Sequence, residues 1–483
     1  MCISFTNKLL PSVFVFFSFF IFVFFKWKLG ESPLPEIEFK HFSEETGPYD
    51  DYRIRPFKID IPLSDLINLK EKLLTTRELS PSISGVGFSY GINSEYLKKF
   101  LEYWKTEYNW KKRESYLNQF PQFTTQIAGL NIHYIHVKPN KTLAKGKKII
   151  PLLLIHGWPG SVIALYKLIP LLTTPQASYD FLFEVIAPST PGNGFSEASP
   201  ISGLNSVQIG TIYHRLMFRL GLENYYIHAS DSGALIGHSQ AVLFSEWVLG
   251  YHSNICLAAS LSSILAWVIA FVVPSLVVEK HWLKNYKDVS WKPFEELSII
   301  NFISNSPDTF GIGLTDSPAA LAAVILDRIA SWSNYNLKNC SDGGLDSFDK
   351  NELLDIIMMY WLTKSITPSM RLYRDTFRMV NCEGIKNLGL MKVLTVPTGC
   401  VWFRNEIAFV PYFALENTYS SLVSVNYLEE GGHFPALQHP VLLSNDIWSF
   451  VNKLLKQEMK FRCNYRDLNF FLLDGTEQDL PRC

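Results

Sequence analysis

The sequence predicts an α/β fold, a mostly parallel sheet with one large helical insertion, and three observations carry that reading. Short apolar runs recur along the chain with helical stretches between them, the alternation of strands and crossover helices. One of them, Ile149 to Ile155, is apolar throughout, as expected of a strand buried on both faces. Between about residues 255 and 380 the alternation stops, and helical, aromatic sequence takes its place as an inserted cap.

Taken in order, Leu9 to Phe25 carries no charge and eight phenylalanines, between Lys8 and Lys26-Trp27-Lys28. That length reaches the lower end of a bilayer span. No small-x-small site follows it, and Trp and Lys are interfacial residues, so residues 1–30 read as an uncleaved membrane anchor. The lysines after the span slightly favour the cytosolic side for the chain that follows, although Lys8 and the free amino terminus nearly balance them. Residues 31–148 are polar and aromatic. Leu63 to Leu73 and Tyr96 to Trp104 repeat apolar residues at helical spacing, and Gln126 to Val137 alternates around Gly129 as a hairpin. Residues 149–254 hold the first core strands, Ile149–Ile155, Phe183–Ala187 and Tyr225–His228; after the cap at 255–380, residues 381–457 supply Leu394–Phe403 and Val423–Leu428. A charged tail, 458–483, ends in Cys483. The uncharged stretch from Asn254 to Val278 is also of spanning length, but a span there would part the site described next, so a lid resting on the bilayer is expected.

With 44 Lys and Arg against 45 Asp and Glu, there is no basic field to hold nucleic acid. Seven scattered cysteines show no paired short spacing, so neither a zinc site nor a disulfide framework is expected, and reduced thiols suit a cytosol-facing domain. Asn140-Lys141-Thr142 and Asn339-Cys340-Ser341 match the glycosylation sequon, which matters only for a lumenal domain. Neither an HExxH pattern nor a dinucleotide fingerprint occurs, so no metal and no cofactor are expected.

Chemistry concentrates at His228-Ala229-Ser230-Asp231-Ser232-Gly233, between the strand Tyr225–His228 and a helical segment. Small residues two before and two after a central side chain mark a nucleophile elbow, a sharp strand-to-helix turn. The central residue is Asp231. A carboxylate is ionised at neutral pH unaided and suits attack at saturated carbon, giving an ester that water must open. The α/β-hydrolase order of nucleophile, acid and histidine follows: Asp231, then Glu406 after the strand ending at Phe403, then His433 in Gly431-Gly432-His433 after the strand at 423–428. Asp375 and Glu383 compete with Glu406 on composition but follow no strand, and Glu429 and Glu430 lie too near His433. His156-Gly157-Trp158-Pro159-Gly160, at the exit of the first parallel strand, fits an oxyanion loop with the amides of Trp158 and Ser232 as donors.

These blocks resemble a known family. Together with Arg55-Pro56-Phe57-Lys58-Ile59, Phe120-Pro121-Gln122-Phe123-Thr124-Thr125, Pro307-Asp308-Thr309 and Gly313-Leu314-Thr315-Asp316-Ser317-Pro318, the chain looks like a microsomal-type epoxide hydrolase, a family that includes insect juvenile hormone epoxide hydrolases. The resemblance implies an α/β-hydrolase fold with helical cap, 31–148 as the family's N-terminal extension, and an endoplasmic-reticulum membrane location. It also implies Asp231 as nucleophile, Glu406 and His433 as the water-activating pair, and Tyr373 of Ser369-Met370-Arg371-Leu372-Tyr373 as the cap acid. Expected partners are an apolar epoxide and the lipid bilayer. Three positions depart from the family pattern. Ser232 stands where the elbow usually has Trp, Ile299 where a second cap tyrosine is usual, and Gln438 where a glutamate follows the histidine. A haloalkane dehalogenase would also use an aspartate but has no need of Tyr373. A non-catalytic binder of epoxide lipids is the rival that Ser232 and Ile299 motivate.

Overall fold

The computed structural model describes residues 38–43, 49–140, 142, 144–258, 269–270, 272–280, 282–283, 292–382, 395–407 and 409–472. The expected anchor at 9–25, residues 259–268 of the expected lid and Glu383 lie outside them. Chain order begins with β1 (Arg55–Phe57), α1 (Leu63–Leu74), α2 (Ser94–Thr106), α3 (Trp110–Leu117), β2 (Gln122–Ile127) and β3 (Leu130–Val137). β4 (Lys148–Ile155), α4 (Leu168–Thr173), β5 (Phe181–Pro188), α5 (Ser206–Arg219), β6 (Tyr225–Ala229), α6 (Ser232–Leu243) and β7 (Val248–Ser253) follow. Then come α7 (Lys292–Asn305), α8 (Pro307–Asp316), α9 (Pro318–Ser333), α10 (Lys350–Thr363) and α11 (Ile366–Cys382). The chain returns to the sheet with β8 (Thr398–Phe403), α12 (Tyr412–Glu416), β9 (Leu422–Leu428), α13 (Pro435–Gln438) and α14 (Pro440–Leu472).

The described strands form one nine-stranded sheet in the order β1-β2-β3-β5-β4-β6-β7-β8-β9, antiparallel through β3·β5 and parallel from there on. The hairpin expected around Gly129 is present. Ala128 and Gly129 both take positive φ, 57° and 78°, as a two-residue turn matched to strand twist requires. β4 explains why its sequence is apolar throughout: Leu152 and Leu154 enter the core on one face of the sheet, Leu153 and Ile155 the core on the other. Each such side chain contributes about 1.5–3 kcal/mol on burial. In α2, Asn93 caps the helix by accepting from the amides of Glu95 and Tyr96, and its buried stripe Leu97, Phe100, Leu101 and Trp104 follows the expected spacing.

Two strands were not legible. β1 is three residues long, and β7 reads Val-Leu-Gly-Tyr-His-Ser, with no apolar run to announce it although it lies inside the sheet. The expectation of reduced thiols is corrected by a disulfide between Cys256 and Cys400, 144 residues apart. Pairing of Ser253 with Cys400 in the β7·β8 ladder brings the two cysteines together, a proximity that sequence spacing does not contain. Cys340 is free and exposed.

The helices between β7 and β8 pack over one end of the sheet and are held by the N-terminal segment. Asp355 of α10 is fully buried and accepts from Arg113 Nε at 3.0 Å and from the Tyr108 hydroxyl at 2.9 Å, while Tyr103 donates to Asn351 at 3.1 Å. Removing one partner of such a buried pair costs about 3–5 kcal/mol, because the other charge is left stranded. Among the described residues no single helix is long and apolar enough to cross a membrane; α8 and α9 pass together only as a pair bent by 118°, and much of α9 is buried core.

Candidate functional site

The turn from β6 into α6 places Asp231 at its apex with φ 52° and ψ −131°, a conformation that non-glycine residues rarely hold. Its tightness accounts for the small neighbours. A Cβ on Gly157 would lie 2.2 Å from Asp231 Cβ, and one on Gly233 would lie 2.5 Å from the His156 carbonyl. Gly237, on the next turn of α6, lets Ala229 approach to 3.0 Å of a hypothetical Cβ. Small residues are therefore required on both sides of the nucleophile position.

Four predicted side chains converge here. His433 Nε2 lies 2.8 Å from Asp231 Oδ2, and His433 Nδ1 lies 2.7 Å from Glu406 Oε1, so the three residues form one line. Glu406 Oε1 also accepts from the amide of Ile407 at 2.8 Å. On the other carboxylate oxygen, Asp231 Oδ1, the Trp158 amide donates at 2.7 Å and the Tyr373 hydroxyl at 3.2 Å. The Ser232 amide also donates to the Asp231 carboxylate. Asp375, the other candidate acid, instead accepts from the Gly203 amide at 2.9 Å.

Each group is held by its own surroundings. The histidine loop is tied to the inserted helices, since the His433 amide donates to the Trp332 carbonyl at 3.0 Å and a Cβ on Gly432 would meet the Ser333 carbonyl at 2.1 Å. This gives the Gly-Gly pair its reason. Gln438 Oε1 accepts from the Gly432 amide at 3.1 Å, so the amide at this position performs the acceptor role that a carboxylate would. His156 is buried and neutral: burial lowers its pKa to about 4, its Nδ1–H donates to the Gly157 carbonyl at 3.1 Å, and Nε2 accepts from the Thr190 amide at 3.1 Å. The loop before the cis Trp158-Pro159 bond is thereby fastened to the rim after β5. The Trp158 ring meets Tyr373 edge-on at 6.0 Å and Trp332 at 6.3 Å.

Electrostatics follow from burial and pairing. Burial opposes ionisation of Asp231, but hydrogen bonding and charge from His433, with the Ser232 and Trp158 amides, hold its pKa below the usual 3.8. Burial likewise disfavours the His433 imidazolium, yet the carboxylates of Glu406 and Asp231 outweigh it and push His433 up to about 10. Burial and the Asp231 charge raise the Tyr373 phenol well above 10, so it is a proton donor at every physiological pH. Ile299, on α7, is half-buried against the apolar core and has no hydrogen to offer. Tyr360 lies nearby but is engaged: its hydroxyl donates to the Gly160 carbonyl at 2.6 Å and accepts from Asn193 at 2.9 Å. Behind the nucleophile, Gly157, Ser230, Asp231, His433, Phe434 and Leu437 line a cavity of about 30 Å³, room for a water molecule or two. No metal-ligating cluster occurs among the described residues. Sequence reasoning did not find Trp332, whose carbonyl anchors His433, because that contact leaves no motif.

Comparison with known proteins agrees in fold and family. A family profile described as epoxide hydrolase N terminus matches residues 54–165. Juvenile hormone epoxide hydrolase 1 of the flea Ctenocephalides felis is 40% identical over 432 residues, covering 88% of this chain and 91% of the relative. Epoxide hydrolase 1 of Sus scrofa is 39% identical over 420 residues, 84% of this chain and 90% of the relative. The crystal structure of juvenile hormone epoxide hydrolase from the silkworm Bombyx mori superposes with a TM-score of 0.81 at 38% identity, over 85% of this chain and 96% of that one.

Proposed function

The chain belongs to the epoxide hydrolase family and is an epoxide hydrolase of α/β-hydrolase fold, and from that premise we propose a two-step reaction carried by Asp231, Tyr373, His433 and Glu406. The observation that carries it is the pair of contacts on Asp231: His433 on Oδ2 and the Tyr373 hydroxyl on Oδ1. A dehalogenase would expel halide and has no use for the phenol.

In the first step Asp231 Oδ2 forms a bond to an epoxide carbon while the carbon–oxygen bond of the ring breaks. Tyr373 delivers its proton to that oxygen. Oδ1 stays on the Trp158 and Ser232 amides. Ester formation cancels the Asp231 charge, one of the two negative charges holding the His433 proton, so the imidazolium gives its proton back to the Tyr373 phenolate. Neutral His433, held by Glu406, then takes a proton from water in the adjoining cavity. That water attacks the ester carbon, and the Trp158 and Ser232 amides support the resulting oxyanion. Collapse releases a vicinal diol and restores Asp231.

The helices from α7 to α11 act as the cap, and the Trp158, Trp332 and Phe434 rings around the site favour apolar epoxides, lipid or xenobiotic. The relatives named for juvenile hormone make that lipid one member of the panel. Diol formation from styrene oxide, an epoxy fatty acid and juvenile hormone should be seen with wild-type protein and lost in Asp231→Ala. Diol formation at an undiminished rate by Asp231→Ala would overturn the assignment.

Residues 9–25 anchor the enzyme in the endoplasmic-reticulum membrane. Their charged flank favours a cytosolic domain, whereas a disulfide belongs to oxidising compartments. Asn140 and Asn339 are both exposed, so their glycosylation reports the side directly: unmodified asparagines place the domain in the cytosol, glycans in the lumen.

A further inference from the structure

We propose that a cleft on the outer face of α11 is an accessory binding site for an anionic amphiphile, a carboxylate with an acyl chain, held by Arg378 and separate from the catalytic centre. The site does not depend on the roles given to Asp231 and Tyr373.

The cleft holds about 520 Å³, an ordinary size for a small-molecule site. Its floor is α11, and its walls are the loop after β5 and the turn from α7 into α8. Arg371, Arg374 and Arg378 line it from α11, and their spacing of three and four residues puts them on one helix face. Tyr373, two residues on from Arg371, points about 200° round the helix and reaches Asp231. Cleft and catalytic centre therefore lie on opposite sides of one helix.

Three guanidiniums in the lining face two carboxylates, Asp308 and Asp375, which leaves one positive charge over. Both acids are engaged: Asp308 accepts from Arg371 Nε at 2.7 Å and Nη2 at 3.0 Å, and Asp375 accepts from the Gly203 amide. Arg374 donates to the Asn305 carbonyl at 2.6 Å. Arg378 is exposed and has no hydrogen-bond or ion-pair partner among the described residues. A guanidinium presents a fork that fits a carboxylate, the contact that Arg371 already makes with Asp308. Beside it, Pro200, Ile201, Leu204 and Leu372 supply apolar wall for an acyl chain. A small inorganic anion would leave that wall bare, and a neutral lipid would leave Arg378 without a partner. The catalytic centre does not suit the same ligand, because it already sets the Asp231 and Glu406 carboxylates against one imidazole.

The test is equilibrium dialysis of radiolabelled decanoate against the full chain in nonionic detergent, with protein-free micelles as the blank. About one decanoate per chain should bind, and octanoate and hexanoate progressively more weakly, by up to about fourfold for each methylene lost from the wall. Decanol and inorganic phosphate should each bind about tenfold more weakly than decanoate, since each offers only half of the match. Arg378→Glu should weaken decanoate about tenfold by turning attraction into repulsion, whereas Arg378→Lys, which keeps the charge, should stay within about threefold. Both variants should melt with the wild type, because Arg378 holds nothing in the fold. Styrene oxide in excess should not displace the bound decanoate. Absence of binding, undiminished binding to Arg378→Glu, or decanol or phosphate binding as tightly as decanoate would overturn the proposal. Displacement by styrene oxide would also overturn it, by placing the ligand at Asp231.

Discussion

Replacing His433 by Gln separates the two half-reactions more sharply than any other single change. In the resting site His433 does two things: it hydrogen-bonds Asp231 Oδ2 at 2.8 Å, and it holds a proton that the two carboxylates keep there up to about pH 10. Ring opening uses neither as a base, because Asp231 attacks as the carboxylate. With His433 gone, the Trp158 and Ser232 amides still favour the ionised form, so alkylation near neutral pH should fall by no more than about tenfold, the weight of one hydrogen bond to a charged group. Ester hydrolysis loses its general base outright, typically a factor of about 10²–10⁴. The slow step then becomes hydrolysis, and enzyme should accumulate as ester. Intact-protein mass spectrometry after mixing with styrene oxide should show one substrate-sized adduct per chain, mapped by proteolysis to the peptide containing Asp231. Folded His433→Gln protein that never forms the adduct, while wild type makes diol, would refute the division of labour.

Three further outcomes follow from the same geometry. Ile299→Tyr should raise the alkylation rate, because a second donor to the epoxide oxygen is worth about 2.7–4 kcal/mol where one is missing, roughly a hundred- to thousandfold; stopped-flow fluorescence reads it, and a flat rate would show that the α7 side chain does not reach the oxygen. Proton NMR of the His433 ring should place its titration near 10 in the wild type and lower in Asp231→Asn, where one carboxylate charge is gone. Because that folded-state pKa lies above the ordinary 6.5, the associated stability is fully present below about pH 6.5 and lost as pH rises through about 10. Thermal melts should therefore decline across that window in wild type and be flatter in His433→Gln; an equal decline in both would contradict the assignment.

How much was legible depended on how locally each feature is encoded. The elbow was, because a sharp turn imposes its size rule on residues 229, 233 and 237 whatever lies elsewhere. Glu406 and His433 were found from chain order, since parallel strands ending on one edge bring their following loops together. β7 was missed because a strand holding Gly250, His252 and Ser253 announces no apolar run, and the disulfide was missed because β7 and β8 become neighbours only across an insertion of more than a hundred residues. Arg113, Tyr108 and Asp355 leave no trace either: a buried ion pair 242 residues apart is a property of the assembled core.

The most direct test of the covalent account is a single turnover in heavy-oxygen water with enzyme in excess over epoxide. Ester cleavage at the acyl carbon transfers one Asp231 oxygen to the product, so the first-turnover diol should contain no solvent label while the peptide bearing Asp231 gains one heavy oxygen. Label appearing in the diol in that first turnover, with Asp231 unlabelled, would mean that water opens the epoxide directly and would contradict the mechanism.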